Sequence, residues 1–239
     1  MPSIAPVIFF NIGWMTHYQG VSQTDPIQGG GRYVAETQSG GEIFNFKPYR
    51  KRLYGYVQAS RSSSIRLERL GAAASDNSVD GVTVVWTASH PTNKGTYVVG
   101  WYQNATIFRS YGELARRSDD TITIHHASAE LTDGFLLPPD ARTLAVPRGK
   151  GGMGQSNVWY AEQNVAFVRE VQTYIKSYGR SGNHQSWRGK KQVVPDSLIY
   201  LNAWLLSSRP SRLPGTIMLN LAIHSVPLSR KIRGGIWKL

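Results

Sequence analysis

Apolar and polar residues alternate over much of the first 160 positions of this chain, a pattern that is typical of β-strands. Val7–Ile12 forms a short apolar run that ends at Gly13, and residues 82–88 and 96–108 show the clearest strand patterns. Further strands are predicted at residues 31–36, 42–46, 53–59 and 64–70, the last of them at a sheet edge. Residues 91–95, Pro-Thr-Asn-Lys-Gly, predict a hairpin loop between the two clearest strands.

Alternation within residues 96–108 also predicts which side chains share a face. Trp101 is expected on the same face as Tyr97 and Val99, and Tyr102 on the opposite face with Val98. The pattern leaves open whether Trp101 lies in the core or faces a ligand.

The period of the apolar positions changes after residue 160. Residues 160–178 repeat apolar side chains at three- and four-residue spacing, which predicts an amphipathic helix that ends at Gly179. The stripe consists of Val165, Val168, Val171, Ile175 and Tyr178. Residues 181–239 show no clean period, and the sequence leaves the structure of this tail open.

Composition narrows the class of protein. The chain has 239 residues and no cysteine, which excludes a disulfide framework, a thiol nucleophile and any cysteine-ligated metal. No apolar run approaches the length that spans a bilayer, and the apolar residues 6–10 are too few for the core of a signal peptide. We therefore expect a cytoplasmic protein with no membrane partner.

The charge is positive and unevenly distributed. The chain carries 27 Lys and Arg against 15 Asp and Glu, a formal net charge of +12. Residues 181–239 hold nine of the basic side chains and one acid, Asp196. Such a balance predicts a polyanionic partner, and nucleic acid in particular, although a basic surface also serves solubility alone.

Five segments place an aromatic side chain beside a glycine, a small amide or a hydroxyl. They are residues 10–18, 29–34, 54–58, 98–105 and 149–160. This combination is typical of a pocket that stacks a flat ligand and reads its polar edge. In a basic protein, the expected ligand is a nucleobase.

The glycine loop at residues 149–156 matches the glycine spacing of two phosphate-binding motifs but lacks a feature that each motif requires. Gly149, Gly151 and Gly154 have GxGxxG spacing, but no buried strand precedes them, as a dinucleotide site requires. Gln155 stands where a phosphate loop has its lysine. We expect instead a flexible loop that opens a helix and offers N–H groups to an anion, or an ordinary surface turn.

No catalytic centre is predicted. His184, Asn202 and His224 follow the residue order of a His-Asn-His nuclease, but their gaps of 18 and 22 residues are too long for its compact metal unit. We therefore predict no catalytic residue, no metal and no cofactor in this chain.

Taken together, the motifs over residues 7–178 resemble a known family. They are Ile12-Gly13-Trp14-Met15, Gly29-Gly30-Gly31, Tyr54-Gly55-Tyr56-Val57, Val99-Gly100-Trp101-Tyr102 and Gly154-Gln155-Ser156-Asn157-Val158-Trp159-Tyr160. The pattern resembles the N-terminal EVE-like reader domain of modification-dependent restriction endonucleases of the HNH class. Members of that family carry a fused HNH endonuclease, which is not recognisable here.

The resemblance implies an α+β fold, namely a PUA-like, EVE-like curved β-barrel with small helices. The reader would occupy residues 1–160, a connector helix residues 161–180 and a basic tail residues 181–239. The implied partner is double-stranded DNA carrying 5-methylcytosine or a related modified cytosine, flipped into an aromatic cage. Three alternatives stay open: an RNA-binding module of the same fold, a modified-nucleotide-binding module of that fold, and a diverged HNH endonuclease. A homodimer is also left open.

On this reading, the candidate site residues fall into three groups. The stacking candidates are Trp14, Trp101 and Trp159. The candidates for reading the base edge are Asn11, Asn104, Ser156 and Asn157. The candidates for DNA phosphates are Arg50, Lys51, Arg52, Arg148 and Lys150, of which the first three form a cluster that is otherwise a solvated hairpin tip.

Overall fold

The computed structural model describes residues 5–29, 40–59, 64–114 and 123–180. The strand predicted at residues 31–36 and the tail at residues 181–239 lie outside these ranges. Within them, the fold is α+β and consists of a sheet of seven strands and one α-helix.

The strands are β1 Val7–Ile12, β2 Arg52–Gly55, β3 Ser78–Ser89, β4 Thr96–Leu114, β5 Thr123–Glu130, β6 Gly134–Leu136 and β7 Val158–Trp159, and the helix is α1 Val165–Arg180. The strand order is β2-β5-β4-β3-β1-β7, and β6 pairs with β4. β1 runs parallel to β3, while the other pairs are antiparallel. β1 and the β3–β4 hairpin agree with the sequence prediction, although β3 and β4 are longer than expected.

β1 separates two hydrophobic clusters because successive side chains of a strand point to opposite faces. Ile8, Phe10 and Ile12 belong to one cluster, whose other members come from the loops and the central strands. Val7 and Phe9 belong to the second cluster, which α1 covers. The helix contributes Phe167, Val171 and Ile175, one apolar residue per turn.

Helix α1 begins later than the apolar period suggests. Asn164 caps it: its side-chain Oδ1 accepts a hydrogen bond from the backbone N–H of Phe167 at 3.2 Å. The helix continues to Arg180, within one residue of the predicted end at Gly179.

A bulge in β4 changes the face to which Trp101 points. Trp86 of β3 pairs with Gly100, whereas the next residue, Thr87, pairs with Val98, so Val99 is an extra residue in β4. As a result, Val99 joins the first cluster and Trp101 the second. The prediction that they share a face is therefore wrong.

Two predicted strands are 3₁₀ turns instead. The turn Gly41–Phe44 overlaps the first predicted strand, residues 42–46, and the turn Leu67–Leu70 lies within the second, residues 64–70. In the second turn, Leu67 and Leu70 are both buried, three residues apart, which suits the three-residue period of a 3₁₀ helix. Over so few residues, a spacing of three is easily read as alternation.

No helix in the described ranges combines the length and the apolar character that crossing a bilayer requires.

Candidate functional site

The edge of the sheet formed by β1 and β7 brings two predicted site residues together. Phe9 pairs with Trp159 in the antiparallel register, which sets Asn11 opposite Asn157 at the end of the ladder. The backbone N–H of Asn11 donates to the carbonyl of Asn157 at 2.8 Å. Since alternate residues share a face, this ribbon presents a pair of aromatic rings and, beside it, a pair of amides.

A third segment fixes the orientation of the amides. The Nδ2 of Asn157 donates to the backbone carbonyl of Gln58 at 3.1 Å, so the Oδ1 of Asn157 faces Asn11. The Nδ2 of Asn11 in turn lies 3.4 Å from that oxygen. We call Asn11, Asn157 and Gln58 the amide cluster. Gln58 ends the predicted segment 54–58 but was not among the candidate site residues, because it takes part through its backbone carbonyl, which any residue supplies.

One acceptor of the amide cluster has no partner. With its Nδ2 directed to Asn157, the Oδ1 of Asn11 is buried and accepts no hydrogen bond from the described residues. An acceptor left in this state costs about 1–3 kcal/mol. The cluster is therefore suited to a ligand that brings an N–H donor.

Ser156 is exposed beside the amide cluster. Its Oγ accepts a hydrogen bond from the N–H of Val158 at 3.2 Å, which shapes the turn into β7. The glycine loop before it leads into this strand and not into a helix, so the expectation that the loop opens a helix is wrong.

Trp159 borders an open cavity. Its ring packs on Phe9 and Phe167, with centroids 4.9 Å and 6.0 Å away. A cavity of about 220 Å³ lies beside it, and its lining includes Gly151, Gly152 and Arg69. Trp159 is partly exposed, so one part of its ring system remains available for contact.

Charged groups close one side of that cavity. Arg69 forms two hydrogen bonds of 2.7 Å with the carboxylate of Glu162 and lies 4.0 Å above the ring of Tyr160. The arginine lowers the pKa of Glu162 through these hydrogen bonds. Burial raises the pKa of Tyr160, whose hydroxyl oxygen accepts from the N–H of Arg66 at 2.8 Å.

Trp14 lies in the loop that follows β1 and is only 6% exposed. The ring of His90 lies 4.7 Å from it, and the guanidinium of Arg142 lies 4.7 Å from its ring centroid. Arg142 is itself buried and donates to the carbonyls of Leu137, Met15 and Thr16 at 2.7–3.0 Å. This arrangement holds Trp14 in place and leaves little of its ring open.

Asp25 reinforces the same loop. Its carboxylate accepts from the backbone N–H groups of Thr16 and His17 at 2.6 and 2.8 Å. Arg142 was not predicted, because it is a single arginine without a motif, and its partners lie more than 120 positions away for Met15 and Thr16.

Trp101 and Asn104 are not brought to the amide cluster. Trp101 is 2% exposed, stacks on Phe135 at 4.8 Å, and is covered by the tyrosines of α1. A base would reach it only if the helix moved away. Asn104 is an exposed residue of β4 with a φ of 47°, and its Nδ2 lies 3.5 Å from the carboxylate of Asp133.

The cluster at residues 50–52 forms a tight hairpin. Tyr49 and Arg52 exchange two backbone hydrogen bonds of 2.9 and 3.0 Å, and Arg50 and Lys51 between them have φ values of 48° and 66°. Both side chains are exposed, whereas Arg52 forms an ion pair with Glu130. Arg50 and Lys51 therefore form a cationic tip, and Arg52 is partly neutralised.

Arg148 lies beside an open hollow of about 400 Å³ formed with residues 89–96. Its Nε donates to Thr96 Oγ1 at 2.9 Å, and its Nη1 donates to the carbonyl of Gly154 at 2.7 Å. Partial burial lowers the pKa of this guanidinium. Lys150 is exposed in the neighbouring glycine loop.

Within the described ranges, no group of three or more His, Asp or Glu side chains is arranged to hold a metal ion. Comparison of the chain with known protein families, curated proteins and solved structures gives no match.

Proposed function

We propose that this protein binds double-stranded DNA and reads a modified cytosine, such as 5-methylcytosine, that is flipped out of the duplex. The observation that carries the proposal is the amide cluster with its unpartnered acceptor, Asn11 Oδ1, next to the ring of Trp159. Aromatic contact with the face of a base and hydrogen bonds to its edge are the two means by which flipped bases are recognised.

The chemistry of the acceptor favours cytosine over thymine. Cytosine carries an amino group, an N–H donor, on the ring carbon next to C5, whereas thymine has a carbonyl oxygen there. An amino group directed at Asn11 Oδ1 would satisfy the oxygen and bring a C5-methyl group close to the same wall of the site. Burial of a methyl group contributes roughly 0.8 kcal/mol.

The sheet is compatible with a PUA-like reader, which we propose as the complete fold. Two features support a curved sheet: β4 is 19 residues long, and its pairing with β3 contains three register shifts. Bulges of this kind increase the bend and twist of a strand. The motifs shared with EVE-like readers of HNH-class restriction endonucleases support the same proposal.

Titration of fluorescently labelled oligonucleotides against the full chain tests the function. Matched duplexes carry cytosine, 5-methylcytosine, 5-hydroxymethylcytosine or N6-methyladenine at one position, and an RNA of the same sequence serves as comparison. We expect tighter binding to a duplex with one of the two modified cytosines. Equal affinity for all four duplexes would refute the proposal, and a preference for RNA would favour an RNA-binding module.

A further inference from the structure

The surroundings of Arg148 differ from those of three other arginines in the described ranges. Arg52, Arg69 and Arg109 each form an ion pair with a carboxylate. Arg148 instead uses Nε and Nη1 to donate to a hydroxyl and a carbonyl. Its remaining nitrogen, Nη2, forms no hydrogen bond with the described residues, so the guanidinium is held in place while part of its donor edge stays free.

The lining of the hollow selects for an anion. Residues 89–96 and Arg148 include two cations, Arg148 and Lys94, and no carboxylate. The hydroxyl groups of Ser89 and Thr96 lie 3.3 Å apart in the same wall of the hollow. An oriented guanidinium and hydroxyl donors form charge-assisted hydrogen bonds with phosphate oxygens.

The loop of the hollow is internally braced by His90. Its Nδ1 accepts from the backbone N–H groups of Thr92 and Asn93 at 3.2 and 2.9 Å. These two hydrogen bonds tie the backbone of the loop to the His90 side chain. The loop is thus ordered before a ligand arrives, which lowers the entropic cost of binding.

Two short connections join the hollow to the amide cluster. Arg148 donates to Gly154, which lies three residues before Asn157. In the loop after β1, Trp14 lies three residues after Asn11 and contacts His90. Three residues span at most about 11 Å, so Gly154 and Trp14, which each contact a residue of the hollow, lie within that distance of Asn157 and Asn11 respectively.

We propose that the hollow binds a phosphate group of the DNA backbone next to the nucleotide whose base is read by the amide cluster. Arg148 and Lys94 supply the charge, and Thr96 and His90 hold the guanidinium and the loop in position. The inference rests on the proposed function for the identity of the polyanion, and it assigns Lys94, His90 and Thr96 to a site that composition alone does not indicate.

The test combines protein variants with neutral DNA linkages. Duplexes with a modified cytosine carry a single methylphosphonate, which removes one phosphate charge, at each linkage around that base in turn. Wild-type protein should lose about tenfold in affinity at one or two adjacent linkages. Arg148→Gln and Lys94→Gln should each bind the duplex without a methylphosphonate more weakly than wild type does. Their further loss of affinity at the sensitive linkages should be much smaller than that of wild type.

Arg169→Gln is the matched control, since Arg169 is an exposed arginine of α1 outside the hollow. It should keep the wild-type methylphosphonate pattern. The slope of log affinity against log salt should become shallower by about 0.9 for Arg148→Gln. Lys94→Gln removes a charge from an exposed loop position and retains the hydrogen bonds of Arg148, so it remains informative if Arg148→Gln does not fold.

The outcomes separate this inference from the proposed function. Two outcomes would overturn only the phosphate site at the hollow. One is a methylphosphonate effect of equal size in wild type and both variants. The other is the absence of that effect in a wild-type protein that still prefers the modified base. If wild type shows no preference for the modified base, but its methylphosphonate effect is present and is reduced in Arg148→Gln and Lys94→Gln, only the base-reading proposal is overturned. A third arm titrates inorganic phosphate and follows the backbone amide signals of residue 90 and residues 92–95 by NMR. Saturable shifts at these residues, without a methylphosphonate effect, would identify a site for free phosphate and overturn the DNA assignment.

Discussion

The Nδ2 of Asn11 lies 3.4 Å from the Oδ1 of Asn157, although the two residues are 146 positions apart in the chain. This contact leaves Asn11 Oδ1 buried and without a partner among the described residues, and in the proposed complex the base supplies its donor. It also makes the proposed base site dependent on two amides and one backbone carbonyl, so each can be tested separately.

We expect Asn11→Leu to weaken discrimination between 5-methylcytosine and thymine placed at the same position opposite guanine. The two bases share the 5-methyl group, but thymine would direct a carbonyl oxygen at Asn11 Oδ1, a mismatch that costs about 1–3 kcal/mol. Fluorescence anisotropy should therefore show a ratio of affinities, 5-methylcytosine over thymine, that falls roughly 10- to 100-fold from wild type to the variant. The easier flipping of the mismatched thymine affects both proteins alike and cancels in this comparison.

Asn104→Leu is the control for this experiment. It removes an amide that is exposed and bonded to Asp133, outside the amide cluster. Its preference should equal that of wild type. An equal loss in both variants, or a normal ratio in Asn11→Leu, would show that the base edge is read elsewhere.

Trp159→Ala and Trp101→Ala should separate binding from folding. Trp101 is enclosed by Phe135, Tyr174 and Tyr178, so its removal should lower the free energy of unfolding by about 3–5 kcal/mol. Trp159 is only partly buried, and its removal should cost about 1–3 kcal/mol of binding to modified DNA. Urea denaturation and DNA titration measure the two effects.

Trp159→Phe should recover part of the affinity, because a ring remains over Phe9 and Phe167. If Trp159→Ala instead unfolds as readily as Trp101→Ala, or binds modified DNA normally, its ring serves the core and not the ligand.

Arg142→Met should lower the free energy of unfolding by about 3 kcal/mol or more, because the carbonyls of Leu137, Met15 and Thr16 lose their donor. Arg142→Lys should not restore the loss, since one ammonium group does not match the fork of a guanidinium. Urea denaturation monitored by far-UV circular dichroism measures both. Stability near that of wild type in Arg142→Met would mean that water replaces these hydrogen bonds without cost.

Glu42 should make the protein less stable as the pH rises from about 4.5 towards neutrality. Burial raises the pKa of this carboxyl group above 4.5 in the folded state, so folding favours the protonated form. Its stabilising contribution is complete below the unfolded pKa and is lost as the pH rises through the folded pKa.

Glu42→Gln should remove this dependence and increase stability at pH 7 relative to wild type. Other carboxyl groups, including Glu68 and Glu162, have lowered pKa values and act in the opposite direction. The measurement is therefore the difference in unfolding free energy between wild type and variant at each pH. A difference that does not change with pH would contradict the assignment.

Local sequence signals were sufficient for β1, the β3–β4 hairpin and α1, because each contains a complete period of apolar residues or a turn with a proline and a glycine. β6 and β7 have only three and two residues, too few for a period. Their existence depends on pairing with β4 and β1, which the sequence does not encode locally.

The candidate site was predictable to the same extent. Asn11, Ser156, Asn157 and Trp159 lie in segments whose composition indicated a ligand, and the structure brings these segments together. Trp101 belonged to such a segment too, but the bulge at Val99 directs it into the core beneath α1. Gln58 accepts a hydrogen bond through its backbone carbonyl, and Arg142 donates to the backbone carbonyls of other residues. Any residue can supply a backbone carbonyl, so the sequence does not mark these contacts.

The extra residue at Val99 also limits how β4 can be altered by insertion or deletion. Just before Val99 the odd-numbered residue Tyr97 faces the first cluster, and just after it the even-numbered residue Tyr102 does. The number of residues in the strand is therefore as important as their composition. Deletion of Val99 itself would leave Tyr97 opposite Ala88 and on its present side, whereas a residue added to or removed from the regular stretches of β4 would exchange inward and outward positions beyond that point. Homologues or designed chimaeras that exchange this hairpin should therefore tolerate substitutions in β4, and loss of the bulge residue, better than a change of length elsewhere in the strand.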